Sequence, residues 1–316
     1  MHSTPNPRAA SPLAAPPPVR LPRLRGPIRR HLLTAAFLVP AAVVTFGVVL
    51  VPLVHALWTS LHRYTLTSPG HPFIGLANYT AALRSPDFWE AIGRTAYFTL
   101  VSTGLELVLG LLIALLLNQR FAGRGLLRAL ILIPWALPTM VNGMMWRWIY
   151  NPDYGALNAL LTQVGLLDAY KAWLGTPWLA MNMVIVADVW KMTPLVALLL
   201  LASLQTIPGE LYEAASMDGA GTWQRFWSIT IPYLRPGILV SLVLRTIEAF
   251  KVFDIVYIMT RGGPANGTQT IAYYTYTEAI TSLQFGRGAA LSYLVALFIA
   301  LMSLVYFRLL REEGSL

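Results

Sequence analysis

Seven ionisable residues lie inside long apolar stretches: Glu106, Asp188, Lys191, Arg245, Glu248, Lys251 and Asp254. A charge at membrane depth is expensive, so it marks a paired or a working position. Four carboxylates stand against three cations, which leaves the set nearly neutral. Such a set suits a neutral solute rich in hydroxyls, which needs donors and acceptors rather than a net field. The same groups also serve packing. Matching depth sets Asp188 against Lys251 and Lys191 against Glu248 if the two helices touch, and structural ion pairing is the expected role of Glu106, Glu248, Lys251 and Asp254. Other chemistry is missing. There are no cysteines, which excludes disulfides and thiolate catalysis. The five histidines (His2, His31, His55, His62, His71) have no metal-ligand spacing. No Ser/His/Asp, His-Glu-x-x-His or paired-carboxylate arrangement falls in a plausible water-filled site. A phosphate-binding loop needs Gly-Lys-Ser/Thr, and neither Lys171, Lys191 nor Lys251 follows a glycine. The expectation is a chain with no catalytic residues and no metal or cofactor of its own.

The elements that position these groups are legible. Hydrophobic residues make up 56% of the 316 and charged ones 12%, against about 25% charged in soluble domains. A spanning helix needs about 20 apolar residues. Six stretches qualify, near 33–57, 94–118, 127–149, 179–203, 236–260 and 288–309. The predicted fold is all-α and polytopic, and the prolines inside it (Pro40, Pro52, Pro134, Pro138, Pro194) are tolerated in membrane helices. Residues 1–31 are rich in Pro, Ala and Arg and read as a disordered basic tail. Lys and Arg in short loops set orientation. The tail arginines, Arg120, Arg124, Arg128, Arg225, Arg235, Arg308 and Arg311 share one side, which is therefore cytoplasmic. Both termini and the 204–235 loop face that side. The connections at 58–93, 150–178 and 261–287 face outward. The net charge of +9 is thus a topological signal, not a nucleic-acid footprint.

The 204–235 loop is a polar island between apolar spans. Its fixed pieces are Glu213-Ala214-Ala215, Gly219 and Ile229-x-Ile231-Pro232. Pro208 suits a first helical turn, Glu210 and Glu213 suit the positive end of a helix, and Gly219 suits a left-handed C-terminal cap. Thr222 then caps a second short helix that Pro232 and Pro236 end. The expected product is a short surface helix, bent firmly on each side, that can lie in a groove on another protein.

This spacing resembles the EAA loop of importer permeases of the ATP-binding-cassette superfamily. Further segments resemble the carbohydrate-uptake permeases of the maltose/trehalose group: Phe73–Tyr79, Leu132–Pro138, Val189–Pro194, Arg245–Asp254 and Thr260-Arg261-Gly262-Gly263-Pro264. The resemblance implies an importer permease fold with a first span at 32–58 and a transmembrane domain over 92–310. It implies that Glu213, Ala214, Ala215, Asp218, Gly219, Ile229 and Pro232 dock on an ATPase subunit. It places the substrate pathway at Trp135, Thr139, Asp188, Lys191, Met192, Arg245, Ala249 and Val252. The implied partners are a second permease subunit, two ATPase subunits that hold ATP and Mg, an extracytoplasmic sugar-binding protein, a sugar, and the lipid of the cytoplasmic membrane. Asp188, Lys191 and Arg245 put charge where the relative has neutral or small residues. A phosphorylated solute such as glycerol 3-phosphate, an ion-driven secondary transporter, and a membrane scaffold or enzyme without transport remain open alternatives.

Overall fold

The computed structural model describes the backbone of residues 27–67 and 69–313. Residues 1–26, most of the stretch read as a basic tail, lie outside the described residues. The chain divides into two units, Met1–Val54 and His55–Leu316. In the first, the described residues belong to helix α1, Pro27–Ser60, whose end falls in the second unit. Residues 27–31 are therefore helical rather than part of a tail. Pro27 fits an opening turn, where a missing N–H costs nothing.

The second unit holds helices α2 (Ala77–Arg84), α3 (Pro86–Asn118), α4 (Arg124–Ala136), α5 (Thr139–Ile149), α6 (Ala156–Gln163) and α7 (Pro177–Leu204). They are followed by α8 (Gly209–Met217), α9 (Thr222–Arg225), α10 (Ile231–Phe250), α11 (Asp254–Met259), α12 (Ile271–Tyr276) and α13 (Phe285–Glu313). Among the described residues there is no strand, only an isolated bridge between His62 and Phe73. Five helices are long and apolar enough to cross a membrane, and α4 with α5 makes a sixth if a bent pair counts as one span.

Two expected spans differ in shape. The stretch at 127–149 is bent by 91° between α4 and α5. The cause is Leu137-Pro138: a residue before proline is pushed out of the helical region, and Leu137 sits at φ −70°, ψ 137°. The stretch at 236–260 is displaced. Pro232 and Pro236 do not end the preceding helix. A wide-turn segment, Phe226–Thr230, joins α9 to α10, and the helical run extends from Thr222 to Phe250. Pro232 stands where the wide-turn segment passes into α10. The run stops at Phe250, and Asp254 opens α11, which packs on α5.

The centre of the unit is α7, which packs most extensively on α3 and also meets α4, α5, α10 and α11. Both α3 and α7 start with proline in the first turn after an extended Ser85 or Thr176. Close approach of α3 to α7 depends on Gly110, whose Cβ would come within 2.8 Å of Val196. Ala114 is buried in the same contact, whereas Gly104 has open space and contributes no such approach. Gly237 plays the equivalent part between α10 and α7, since a Cβ there would collide with the Ser203 hydroxyl.

The 150–176 connection is organised by one buried side chain. Asn158 donates to the carbonyls of Asn151 (3.2 Å) and Lys171 (3.0 Å). Its Oδ1 accepts from the Lys171 N–H (3.1 Å) and the Trp173 indole (2.8 Å). Asn158→Leu orphans these groups at once, so the connection is expected to loosen by about 2–4 kcal/mol. Limited proteolysis of the purified protein reads this out; cleavage within 150–176 at the wild-type rate would contradict it.

Candidate functional site

Two clusters carry the sequence-predicted site residues. The first is α8. Its first turn contains Glu210, and Pro208 stands just before the helix rather than within it. Asp218 and Gly219 close it as expected: Gly219 has φ +80°. The Gly219 N–H donates to Ser216 O (3.1 Å) and the Ala220 N–H to Ala215 O (2.8 Å). This pair of bonds is the Schellman arrangement, which ends a helix sharply. Glu213, Ala214, Met217, Asp218 and Gly219 are exposed and Ala215 is half-buried. Thr222 does not cap α9; Gly221 holds that position and Thr222 is the first helical residue. Ile229 and Pro232 are half-buried at the root of α10. The motif thus splits into an exposed peg and a half-buried root.

A link between peg and root was not legible in the sequence. The Tyr212 hydroxyl on α8 lies 2.9 Å from the Thr230 hydroxyl at the base of α10. A displacement of α8 is therefore transmitted to the long 222–250 helix by a side-chain bond as well as by the chain. Beside it, Trp223 stacks on Phe226 and Trp227 meets both edge-on, with ring centroids 5.3–5.7 Å apart.

The second cluster surrounds Arg245, which is almost wholly buried. Its guanidinium binds Glu106 of α3 through Nε and through Nη2 (2.8 Å). It also binds Asp188 of α7 (3.0 Å) and Glu248 one turn along α10 (2.9 Å). One planar fork thus ties three spans together, a task that suits arginine better than lysine. Lys191 is buried one turn from Asp188, and its Nζ lies 3.9 Å from the Met192 sulfur.

The expected pairing of Asp188 with Lys251 and of Lys191 with Glu248 does not occur. Arg245 takes both carboxylates, because α10 ends at Phe250 and Lys251 leaves the helix axis. Lys251 and Asp254 are exposed, with no ion pair among the described residues, so neither is a structural pair member. The division into packing and pathway residues also changes: Arg245 and Asp188 are partners of Glu106 and Glu248. Ala249 is buried among Phe98, Val184 and Val256 and offers little surface to a solute. Val252 packs on the same core. Trp135 and Thr139 flank the 91° bend, Trp135 well exposed, and neither hydrogen-bonds to the network. A further cross-link, Asn142 Nδ2 to Ala187 O at 3.2 Å, joins α5 to α7.

A polytopic all-α chain, with an exposed capped helix between two spans and a buried charge network joining three, has the organisation of a membrane permease. Residues 106–311 match the family described as binding-protein-dependent transport system inner membrane component, and the chain belongs to that family. It is 43% identical over 271 residues to the trehalose/maltose transport system permease protein MalF of Thermococcus litoralis, covering 86% of this chain and 91% of that one. It is 39% identical over 285 residues to the sulfoquinovosyl glycerol transport system permease protein SmoG of Agrobacterium fabrum, covering 90% and 92%. Among solved structures, one chain of a bacterial ABC transporter involved in the import of the acidic polysaccharide alginate superposes with a TM-score of 0.79 at 22% identity, over 90% of this chain and 97% of that one. That likeness shows the fold.

Proposed function

We propose that this chain is one of two membrane subunits of an ATP-driven, binding-protein-dependent sugar importer, and that it forms half of the translocation pathway. The observation that carries the reading is α8: an exposed helix with a Schellman end, bonded through Tyr212 to the base of a long spanning run. In this reading α8 seats in a cleft of an ATPase subunit on the cytoplasmic side. A second copy of that ATPase serves the partner permease. ATP and Mg sit on those subunits. A sugar-loaded binding protein approaches the 58–93, 150–178 and 261–287 connections from outside. Closure of the ATPases draws the coupling helices together and turns the cavity outward; hydrolysis resets it. The permease name of the 43%-identical relative supports trehalose or maltose as the first sugars to try.

An anionic solute such as glycerol 3-phosphate is disfavoured by the state of Arg245, whose guanidinium is already committed to three carboxylates. The experiment is uptake into proteoliposomes containing the assembled complex. Sugar accumulation that needs enclosed ATP and external binding protein is the expected result. Accumulation driven by a proton gradient alone, without nucleotide, would overturn the proposal in favour of a secondary transporter.

A further inference from the structure

Beyond the Arg245 network, the chain turns back on itself through α11, the Gly262-Gly263-Pro264 turn and α12. There Phe253, Tyr257, Tyr273 and Tyr276 form a tetrad in which every pair of ring centroids lies 5.1–6.3 Å apart. The turn shapes it. Gly262 has φ +78°, and a Cβ there would stand 2.7 Å from the Tyr273 ring. Only a glycine lets that ring lie against the backbone. Thr270 ties the end of the turn to Val252 O at 2.9 Å, and Thr260 bonds Thr268 at 2.6 Å.

The tetrad is not a sealed core. All four rings are half-exposed, whereas the neighbouring Tyr274 is buried. The surface it belongs to is also polar. Glu248, Lys251 and Asp254 are exposed at three-residue spacing through the exit of α10, and Arg261 is exposed at the end of α11. Charges so placed are costly against hydrocarbon, so this face looks onto water or protein. Glu248 is already paired with Arg245, so the charges free to meet a solute here are Lys251, Asp254 and Arg261. Flat apolar rings beside phenol hydroxyls fit a ring compound with an apolar C–H face and a hydroxyl rim.

We propose that the Phe253–Tyr257–Tyr273–Tyr276 tetrad is a pyranose-contacting platform on the path of the transported sugar. The ring faces receive the C–H face of a sugar, and the phenols exchange hydrogen bonds with its hydroxyls. This rests on the importer reading above and adds to it a site separate from the Arg245 network. The test uses the full complex with its ATPase subunits and binding protein in proteoliposomes, with trehalose and maltose within a panel of mono- and disaccharides. Tyr276→Leu and Phe253→Leu are each expected to lower the uptake rate about tenfold, the loss of one good aromatic contact. Hydrolysis stimulated by the loaded binding protein is expected to stay within about twofold of wild type, because α8 is untouched. Tyr276→Phe keeps the stack and loses only a hydroxyl, so its loss of uptake is expected to be about threefold. Uptake and hydrolysis falling in parallel in the Leu variants, as a packing defect would cause, overturns the platform, and so does unchanged uptake. A wild-type complex that takes up no sugar of the panel sinks the importer reading itself, which separates the two failures.

Discussion

Arg245→Met is expected to abolish accumulation of the protein in the membrane. The substitution leaves Glu106, Asp188 and Glu248 without their common cation, two of them buried. Removing one partner of a buried pair costs about 3–5 kcal/mol, because the other charge stays desolvated and uncompensated. That is a large share of the stability of any fold. Arg245→Lys retains the charge but replaces a planar fork by a point, so it is expected to fall between wild type and Arg245→Met. Glu248→Gln is the control. Its carboxylate is 50% exposed, and loss of so wet a pair is worth about 1 kcal/mol or less. The measurement is the amount of folded, tagged protein recovered in mild detergent and its thermal aggregation midpoint. If Arg245→Met were as stable as Glu248→Gln, the network would not hold α3, α7 and α10 together.

The second large effect is expected at α8. Gly219→Trp forces a bulky residue into the left-handed region at φ +80°, which costs about 1–2 kcal/mol before any clash. The Schellman bonds to Ala215 and Ser216 are then lost and the end of the helix unravels. Glu213→Lys leaves the backbone intact but reverses an exposed charge on the peg. Both variants are expected to insert normally and to retain basal hydrolysis in the complex. Stimulation by loaded binding protein is expected to fall at least about tenfold, which is about 1.4 kcal/mol of coupling. Full stimulation in both would remove the proposed docking role.

How much of this was legible in the sequence differs from element to element. The apolar stretches gave away the spans because hydrocarbon leaves the chain little choice of structure. Gly219 gave away the end of α8 because few residues other than glycine enter the left-handed region. The bend at Leu137-Pro138 was hidden, since proline inside a membrane helix is compatible with a straight span, a kink or a break, and the neighbours decide. Pro232 and Pro236 misled for the opposite reason. Proline ends helices in general, yet here Pro232 follows directly on a wide turn at Phe226–Thr230 and Pro236 lies inside α10 without ending it. The charge network was half legible. Composition identified its members, but depth matching gave the wrong partners, because pairing depends on helix rotation and on where α10 stops. The Tyr212–Thr230 bond and the Asn158 cluster join residues far apart in sequence, and no local spacing announces them.

The central claim, that α8 engages a nucleotide-hydrolysing subunit, is tested most directly by cross-linking. The chain has no cysteine, so Met217→Cys places a single thiol on the peg, at a position that is 88% exposed. In native membranes a short thiol-reactive photo-cross-linker at that position is expected to capture an ATPase subunit. Capture of lipid or of this chain's own segments only, in membranes that still take up sugar, would contradict the account.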